Sequence, residues 1–81
     1  MQLDRLGPNQ TTLTLADDRV IFFSYNTPVA AFIPGRGYLR SNWKWSRTTS
    51  KHIRSFIGGH ASEDVDQSVI DDLLREETHG G

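Results

Sequence analysis

The clearest helical pattern in the chain is the sequence WSRTTSKHIRSFI, residues 45–57. With about 3.6 residues per helical turn, its mostly apolar positions gather on one side and its basic residues on the opposite side. Ser46 can cap the first turn, and Gly58 with Gly59 can end the helix. We therefore predict a basic helix over about residues 47–57. Its buried side is expected to pack on a sheet through Trp45, Thr49, Ile53, Phe56 and Ile57.

The sequence before this helix has the pattern of strands. Residues 11–15 alternate between threonine and leucine, and residues 19–25 form a continuous, mostly apolar run that is too short for a typical helix. Such a run fits a central strand that is buried on both faces or that faces a partner chain. Two further strands, residues 29–33 and about 38–43, follow proline-containing turns. We therefore predict an antiparallel β-meander of three or four strands over about residues 11–43.

The sequence after the basic helix predicts a second helix, which is acidic. Ser62 can cap it, and acidic residues in its first turns, such as Glu63, suit the positive end of the helix dipole. Valine, isoleucine and leucine residues at helical spacing form its apolar stripe. We place this acidic helix at about residues 62–77. The predicted fold class is α+β, with one small domain of residues 1–81 in which the meander is followed by two α-helices.

The charged residues are divided unevenly along the chain. Residues 19–62 contain no aspartate or glutamate but seven arginines and lysines, whereas residues 63–77 contain seven acidic residues and one arginine. The net charge of −1 hides this division. The division indicates an anionic partner for the basic part of the chain, or neutralisation of that part by the chain's own acidic tail.

The basic helix face is the main candidate for binding. Cations in a row, near aromatic rings and with no acid between them, can follow a phosphate backbone, and exposed rings can stack on bases. An ordinary solvated helix face is the alternative interpretation. Trp45 is expected in the core, and Trp43 is open to either role. The predicted partner is nucleic acid, bound through Arg40, Trp43, Lys44, Arg47, Lys51 and Arg54.

Composition argues against several other classes of protein. The absence of cysteine excludes disulfides and thiolate metal sites. No run approaches the roughly 20 apolar residues of a membrane span. The N-terminus lacks the basic and apolar regions of a signal peptide, so we expect a soluble protein in the cytoplasm. Small domains without disulfides often gain stability by association, so a homodimer or a higher homo-oligomer is expected.

Catalytic and metal chemistry are not predicted. His52, His60 and His79 do not stand at metal-ligand spacing from a carboxylate or from each other. Hydroxyls at residues 48–50 could bind a phosphate near the helix start, but bonds back to the local backbone are favoured. The paired acids of the tail are typical of a solvated helix face, and no nucleophile–base pair is recognisable. We therefore expect no enzymatic activity and no cofactor.

Two segments resemble a family of small proteins encoded by bacteriophages, prophages and plasmids. The segments are FSYNTPVA, residues 23–30, and KWSRTTSKHI, residues 44–53. They are similar to the family pattern Ser-Tyr-x-Thr-Pro-Val-Ala followed by Trp-Ser-x-Thr-Thr-x-x-His-Ile. The resemblance covers residues 23–56, under half of the chain, and leaves the first 15 residues and the acidic tail outside the pattern. It implies a mobile genetic element as the setting, no agreed biochemical function, and fold-defining roles for the shared residues.

Four interpretations of the charge pattern stay open. The first is an accessory protein that binds nucleic acid through the basic helix face. The second is an inhibitor of a host defence or replication factor, resembling anti-CRISPR proteins or DNA mimics, which uses either its acidic helix or its basic face. The third is an oligomer that sequesters a nucleotide signal between its subunits. In the fourth, the acidic helix packs beside the basic helix and neutralises it.

Overall fold

The computed structural model describes the backbone of residues 2–79 and the side chains of residues 2–75. The fold class is α+β, as predicted, and neither helix in this part of the chain is long and apolar enough to cross a membrane. In chain order, the elements are β1 (Gln2–Gly7), β2 (Gln10–Thr14), β3 (Val20–Ser24), β4 (Thr27–Ile33), β5 (Gly37–Ser41), α1 (Arg47–Ile57), β6 (Ser62–Val65) and α2 (Gln67–His79).

The described strands form one six-stranded sheet, and their order in space follows their order in the chain. Strands β1 to β5 make an antiparallel meander. After β5 the chain crosses over through α1 and returns as β6, which pairs parallel to β5. The sheet therefore has β1 and β6 as its edges and β3 and β4 at its centre.

The predicted number of three or four strands is wrong, because the sheet has an additional strand at each edge. Strand β1 has the sequence QLDRLG and is exposed at every position except its half-buried Gly7. An edge strand without a buried face carries no apolar alternation, and that alternation is the signal from which strands are predicted. Pairing with β2 over the register from Gln2 opposite Thr14 to Gly7 opposite Gln10 holds β1 in place.

The other edge strand, β6, takes residues that the sequence assigns to the start of the second helix. Ser62 opens this strand and does not cap a helix, while Glu63 and Asp64 pair in register with β5. Three polar residues followed by one valine do not have the pattern of a strand, so tertiary pairing decides their conformation. The predicted acidic helix over about residues 62–77 is corrected to Gln67–His79.

The start of α2 is stabilised by Asp66. Its carboxylate accepts hydrogen bonds from the backbone N–H of Ser68 at 3.1 Å and from the Ser68 hydroxyl at 2.7 Å. A side-chain oxygen that accepts a first-turn N–H satisfies a donor that has no partner inside the helix. Asp66 therefore has the capping role that the sequence assigns to Ser62.

The two helices cover opposite faces of the sheet. Successive strand residues point to opposite faces, so the core divides into two clusters. Ile21 packs in the cluster that contains Ile70 of α2, and its neighbour Phe22 packs in the cluster that contains Ile53 of α1. Ile21 and Phe22 are both 0% exposed, as expected for a central strand, and each burial stabilises the fold by about 1.5–3 kcal/mol. The sheet thus separates α1 from α2.

Candidate functional site

Helix α1 turns its basic side chains to solvent because its other side is fixed on the sheet. Ser46 caps the first turn, since its Oγ accepts the Thr49 N–H at 3.2 Å, and Gly58 ends the helix with a φ of 64°. Thr49, Ile53 and Ile57 are buried. Helical periodicity then requires the opposite side to face outward, and three cations are exposed there: Arg47, Lys51 and Arg54.

Arg47, Lys51 and Arg54 form a row along the helix. Lys44 is also exposed, but it precedes the N-cap Ser46, whose backbone is extended, so the expected helical spacing does not apply to it. Arg47 and Arg54 are two turns apart, or about 10 Å along the helix axis. We call Lys44, Arg47, Lys51 and Arg54 the basic row. Among the side chains that the structure describes, none of the four forms an ion pair, and the first turn of α1 contains no acid. The basic row is therefore a set of solvated cations open to an external anion.

None of the described acidic residues near the end of the chain forms an ion pair with the basic row. Helix α2 packs on the other face of the sheet. In β6, Glu63 binds Arg36 with 2.9 Å between Oε2 and Nη2, and Asp64 binds Arg40 with 3.4 Å between Oδ1 and Nε. The interpretation in which the acidic helix packs beside the basic helix and neutralises it therefore does not hold for the described residues.

Arg40 belongs to the predicted binding set but differs from the basic row. It lies on β5 in register with Ala30, which places it on the face of the sheet that α1 covers. The side chains of Arg40 and Asp64 are 43% and 71% exposed, so their ion pair contributes no more than about 1 kcal/mol. An anionic ligand would nevertheless compete with Asp64 for this guanidinium, which makes Arg40 a weaker contact than the solvated cations.

The two tryptophans have different environments. Trp43 is 64% exposed in the segment between β5 and α1, where its backbone N–H donates to Ser41 Oγ at 3.3 Å. Trp45 is half-buried and packs against the core cluster that contains Phe22, as expected from its place on the apolar side of the helix. Trp43 is therefore the tryptophan whose ring is available for stacking.

A groove that is not predicted from the sequence lies along α1. It has a volume of about 470 Å³ and brings Gln10 of β2 next to the first turns of the helix. Arg47 and Lys51 of the basic row line it, together with the hydroxyl-bearing residues Thr48 and Ser55. Because Gln10 is distant from α1 in sequence, no local pattern reveals this arrangement. We call it the α1–β2 groove; its lining residues are Gln10, Arg47, Thr48, Lys51, His52 and Ser55.

Three polar side chains hydrogen bond in the core beside this groove. The Ser24 hydroxyl donates to Thr49 Oγ1 at 3.1 Å, and Ser24 Oγ lies 2.9 Å from His52 Nδ1. With the serine proton directed to Thr49, the serine oxygen accepts the His52 Nδ1–H. Ser24 and Thr49 are 2% and 6% exposed. The pair of buried hydroxyls therefore fixes the orientation of the imidazole that lines the groove. Thr49 bonds to a side chain of β3 and not to the local backbone, which was the expected partner.

The Ser24–His52 contact does not make a nucleophilic site. Nucleophilic catalysis requires a reachable nucleophile and a base oriented by a third group. The Ser24 hydroxyl is buried, and no described carboxylate hydrogen bonds to His52. The described residues also contain no group of three His, Asp or Glu side chains placed to hold a metal ion. Cations, hydroxyls and an amide around an open groove are instead suited to binding an anion.

Two exposed carboxyl groups outside the site have pKa values below their ordinary range. The Arg19 side chain donates to Asp17 Oδ1 at 2.9 Å, and this hydrogen bond lowers the pKa of Asp17. The hydroxyl and then the backbone N–H of Ser68 lower the pKa of Asp66. Both interactions stabilise local backbone structure at a turn or a helix start.

Comparison with known proteins identifies a family. A family model described as a family of unknown function (DUF8033) matches residues 1–72. This match includes the first 15 residues, which lie outside the resemblance pattern, and therefore contains β1 and the described part of the sheet as well as α1. No curated protein and no solved structure gives a significant match.

Proposed function

Because this chain belongs to that family of unknown function, we propose its function from geometry: it is a small non-enzymatic protein that binds nucleic acid through the basic row and the α1–β2 groove. Lys44, Arg47, Lys51 and Arg54 contact phosphates in this proposal. Trp43 supplies an exposed ring next to Lys44, and Arg40 makes a weaker contact because it is paired with Asp64.

The observation that carries this proposal is the absence of ion pairs along the basic row within the described residues. A solvated helix face commonly mixes acids with bases, since pairs of opposite sign at helical spacing stabilise it. The outward side of α1 instead carries cations with no acid in the first turn. The self-repulsion of such a row is relieved by a polyanion, whose binding also releases condensed counterions.

Salt dependence tests the proposal directly. The affinity of the protein for a fluorescently labelled oligonucleotide would be measured by fluorescence anisotropy at several salt concentrations. Four phosphate contacts on a single strand predict a slope of log affinity against log salt of about −2.8. Absence of salt-sensitive binding at micromolar protein, with both single-stranded and duplex DNA, would refute the function.

The setting and assembly form part of the same proposal. The resemblance of residues 23–56 supports a bacteriophage or other mobile genetic element as the source, and the host cytoplasm as the location.

A homodimer is supported by the two leucines exposed on edge strand β1, Leu3 at 68% and Leu6 at 56%. An edge strand with exposed apolar side chains and free backbone groups is a common contact for another chain. Light scattering on the purified protein would measure its oligomeric state.

The same edge strand favours a second candidate function, inhibition of a host protein. In this alternative, a defence or replication factor of the host docks on β1. The DNA-mimic version has less support, because the acids of β6 already pair with Arg36 and Arg40. A pull-down from host lysate discriminates: a partner retained by wild type and lost in a Leu3→Lys variant supports the alternative, and recovery of no partner contradicts it.

Sequestration of a nucleotide signal would use the α1–β2 groove at a subunit interface. A ligand that binds the folded state raises its thermal midpoint. A thermal-shift screen of cyclic nucleotides therefore separates this alternative from nucleic-acid binding, since it predicts a higher midpoint with a cyclic nucleotide and no affinity for oligonucleotides.

A further inference from the structure

Tyr25 occupies a backbone position that usually belongs to glycine. A two-residue hairpin, Tyr25–Asn26, joins β3 to β4, with Ser24 and Thr27 as the closing pair. Tyr25 has a φ of 60°, in the left-handed region, whereas Asn26 does not have a positive φ. A two-residue hairpin with a positive φ at its first turn residue alone prefers glycine there, because a side chain at that position strains the backbone. Strain of this kind concentrates at functional sites.

The tyrosine ring is not needed to form the turn. The backbone N–H of Tyr25 donates to the Asn9 carbonyl oxygen at 2.7 Å, a bond that any residue except proline could make. Tyr25 belongs to neither core cluster and is 49% exposed. The fold thus holds a large aromatic side chain at a strained position where a glycine would satisfy the backbone better. This arrangement indicates a role for the ring itself.

The Tyr25 ring lies next to the proposed phosphate-binding groove. Its centroid is 6.0 Å from that of His52, with 39° between the ring planes, and His52 lines the α1–β2 groove with Arg47 and Lys51. Tyr25 also lines a separate open depression of about 400 Å³, together with Leu3 and other residues of the β1–β2 and β3–β4 hairpins. The ring therefore lies beside the imidazole that lines the groove and also faces an open surface that contains Leu3 and Arg5.

Sheet topology places a second exposed ring at the same end of the molecule. β3 and β5 are both antiparallel to β4, so they run in the same direction and their carboxyl ends share one end of the sheet. Tyr25 follows β3, and Trp43 lies in the segment that connects β5 to α1. Tyr25, Trp43 and the start of the basic row therefore follow strands that end at the same end of the sheet.

We propose that Tyr25 is a base-stacking residue that makes this surface specific for single-stranded nucleic acid. The proposal rests on the proposed function and adds the class of nucleic acid. Arg47 and Lys51 hold phosphates in the α1–β2 groove while an unpaired base lies against the exposed part of the Tyr25 ring. Bases in a duplex already stack on each other, so only an unpaired base can offer its face to a side chain.

The test compares three variants with wild type on two ligands. The ligands are a fluorescein-labelled DNA of mixed sequence, about 12 nucleotides long, and the duplex formed from it. Tyr25→Gly removes the ring and relieves the backbone, and Tyr25→Phe keeps the ring without its hydroxyl. Asn9→Gly is the matched control, because Asn9 has a φ of 62° in the adjoining hairpin and carries no ring. Thermal midpoints are measured in parallel; relief of the strained φ predicts a folded Tyr25→Gly protein.

The expected result is loss of single-strand affinity in Tyr25→Gly by about 5- to 150-fold, the range for loss of one stacked base. Tyr25→Phe and Asn9→Gly should stay within about twofold of wild type, and duplex affinity should be the same in all four proteins. Wild-type affinity in Tyr25→Gly, equal losses in Asn9→Gly or Tyr25→Phe, or an equal loss on the duplex would overturn the stacking role alone. If wild type binds neither ligand, the nucleic-acid function itself fails.

Discussion

Removing two alternate cations from the basic row should weaken nucleic-acid binding and its salt dependence together. Arg47→Gln with Arg54→Gln removes two of the four cations that form no ion pair among the described side chains, and leaves the buried side of α1 unchanged. Both side chains are exposed, so the effect on stability should stay below about 1 kcal/mol, most of it from the cation lost near the helix C-terminus.

The expected change in salt dependence follows from the number of phosphate contacts. Each phosphate neutralised on a single strand contributes about −0.7 to the slope of log affinity against log salt. Four contacts therefore predict a slope of about −2.8, and two contacts predict about −1.4. Between about 50 and 200 mM salt, wild-type affinity should fall about 50-fold and variant affinity about 7-fold.

The assay is fluorescence anisotropy with one labelled single-stranded DNA at several salt concentrations. The matched control is Arg36→Gln with Arg75→Gln, which removes the same net charge from arginines that are already paired with Glu63 and Asp72. The control should keep the wild-type slope. A slope that is unchanged in the basic-row variant would show that these cations do not contact phosphates. A slope that becomes equally shallow in the control would show that net charge and not this helix face drives binding.

Three further predictions concern stability. Ile53→Ala should lower the free energy of unfolding by about 2–5 kcal/mol in urea denaturation, because Ile53 is 0% exposed between α1 and the sheet; a loss below about 1 kcal/mol would contradict this packing. Ser24→Ala should destabilise by about 1–3 kcal/mol, since it leaves Thr49 and His52 without their buried partner; unchanged stability and unchanged His52 NMR signals would refute the network. The pKa of Asp66 is lowered from 3.8, so its stabilising contribution is present above pH 3.8 and is lost as the pH falls through the lower folded value. Asp66→Asn should therefore show a smaller loss of thermal midpoint under acid than wild type does, and identical acid profiles would exclude this capping role.

Helix α1 can be predicted from the sequence because its signals are local. The alternation of apolar and basic positions, the Ser46 cap and Gly58 all lie within a few residues of each other, and α1 has the predicted range of 47–57. Strand β3 is also recognisable, since a short, continuous apolar run is typical of a central strand buried on both faces. These elements contain enough information in their own residues to specify their structure.

The edges of the sheet could not be predicted for the opposite reason. Strand β1 is exposed along its length, and β6 begins with Ser62, Glu63 and Asp64, which also suit a helix start. Only pairing with β2 and β5 makes these segments strands. The pairing of β6 with β5 also determines the partners of the β6 acids. Glu63 and Asp64 form ion pairs with Arg36 and Arg40 and not with the basic row.

The candidate site was predictable in part. The row of Arg47, Lys51 and Arg54 follows from helical spacing. The groove with Gln10 and the contacts of Ser24 with Thr49 and His52 instead depend on residues distant in sequence. The strained Tyr25 depends on a φ value. A tyrosine in a hairpin is ordinary in sequence, and its left-handed backbone becomes visible only in the structure.

NMR mapping of the bound surface tests the central claim most directly. Backbone amide signals of isotopically labelled protein would be followed during titration with single-stranded DNA at low salt. Binding through the basic row predicts shifts concentrated in residues 44–54, with the signals of α2, on the opposite face of the sheet, unchanged. Shifts concentrated in α2 or β1, or no shifts at saturating DNA, would contradict binding through this helix face.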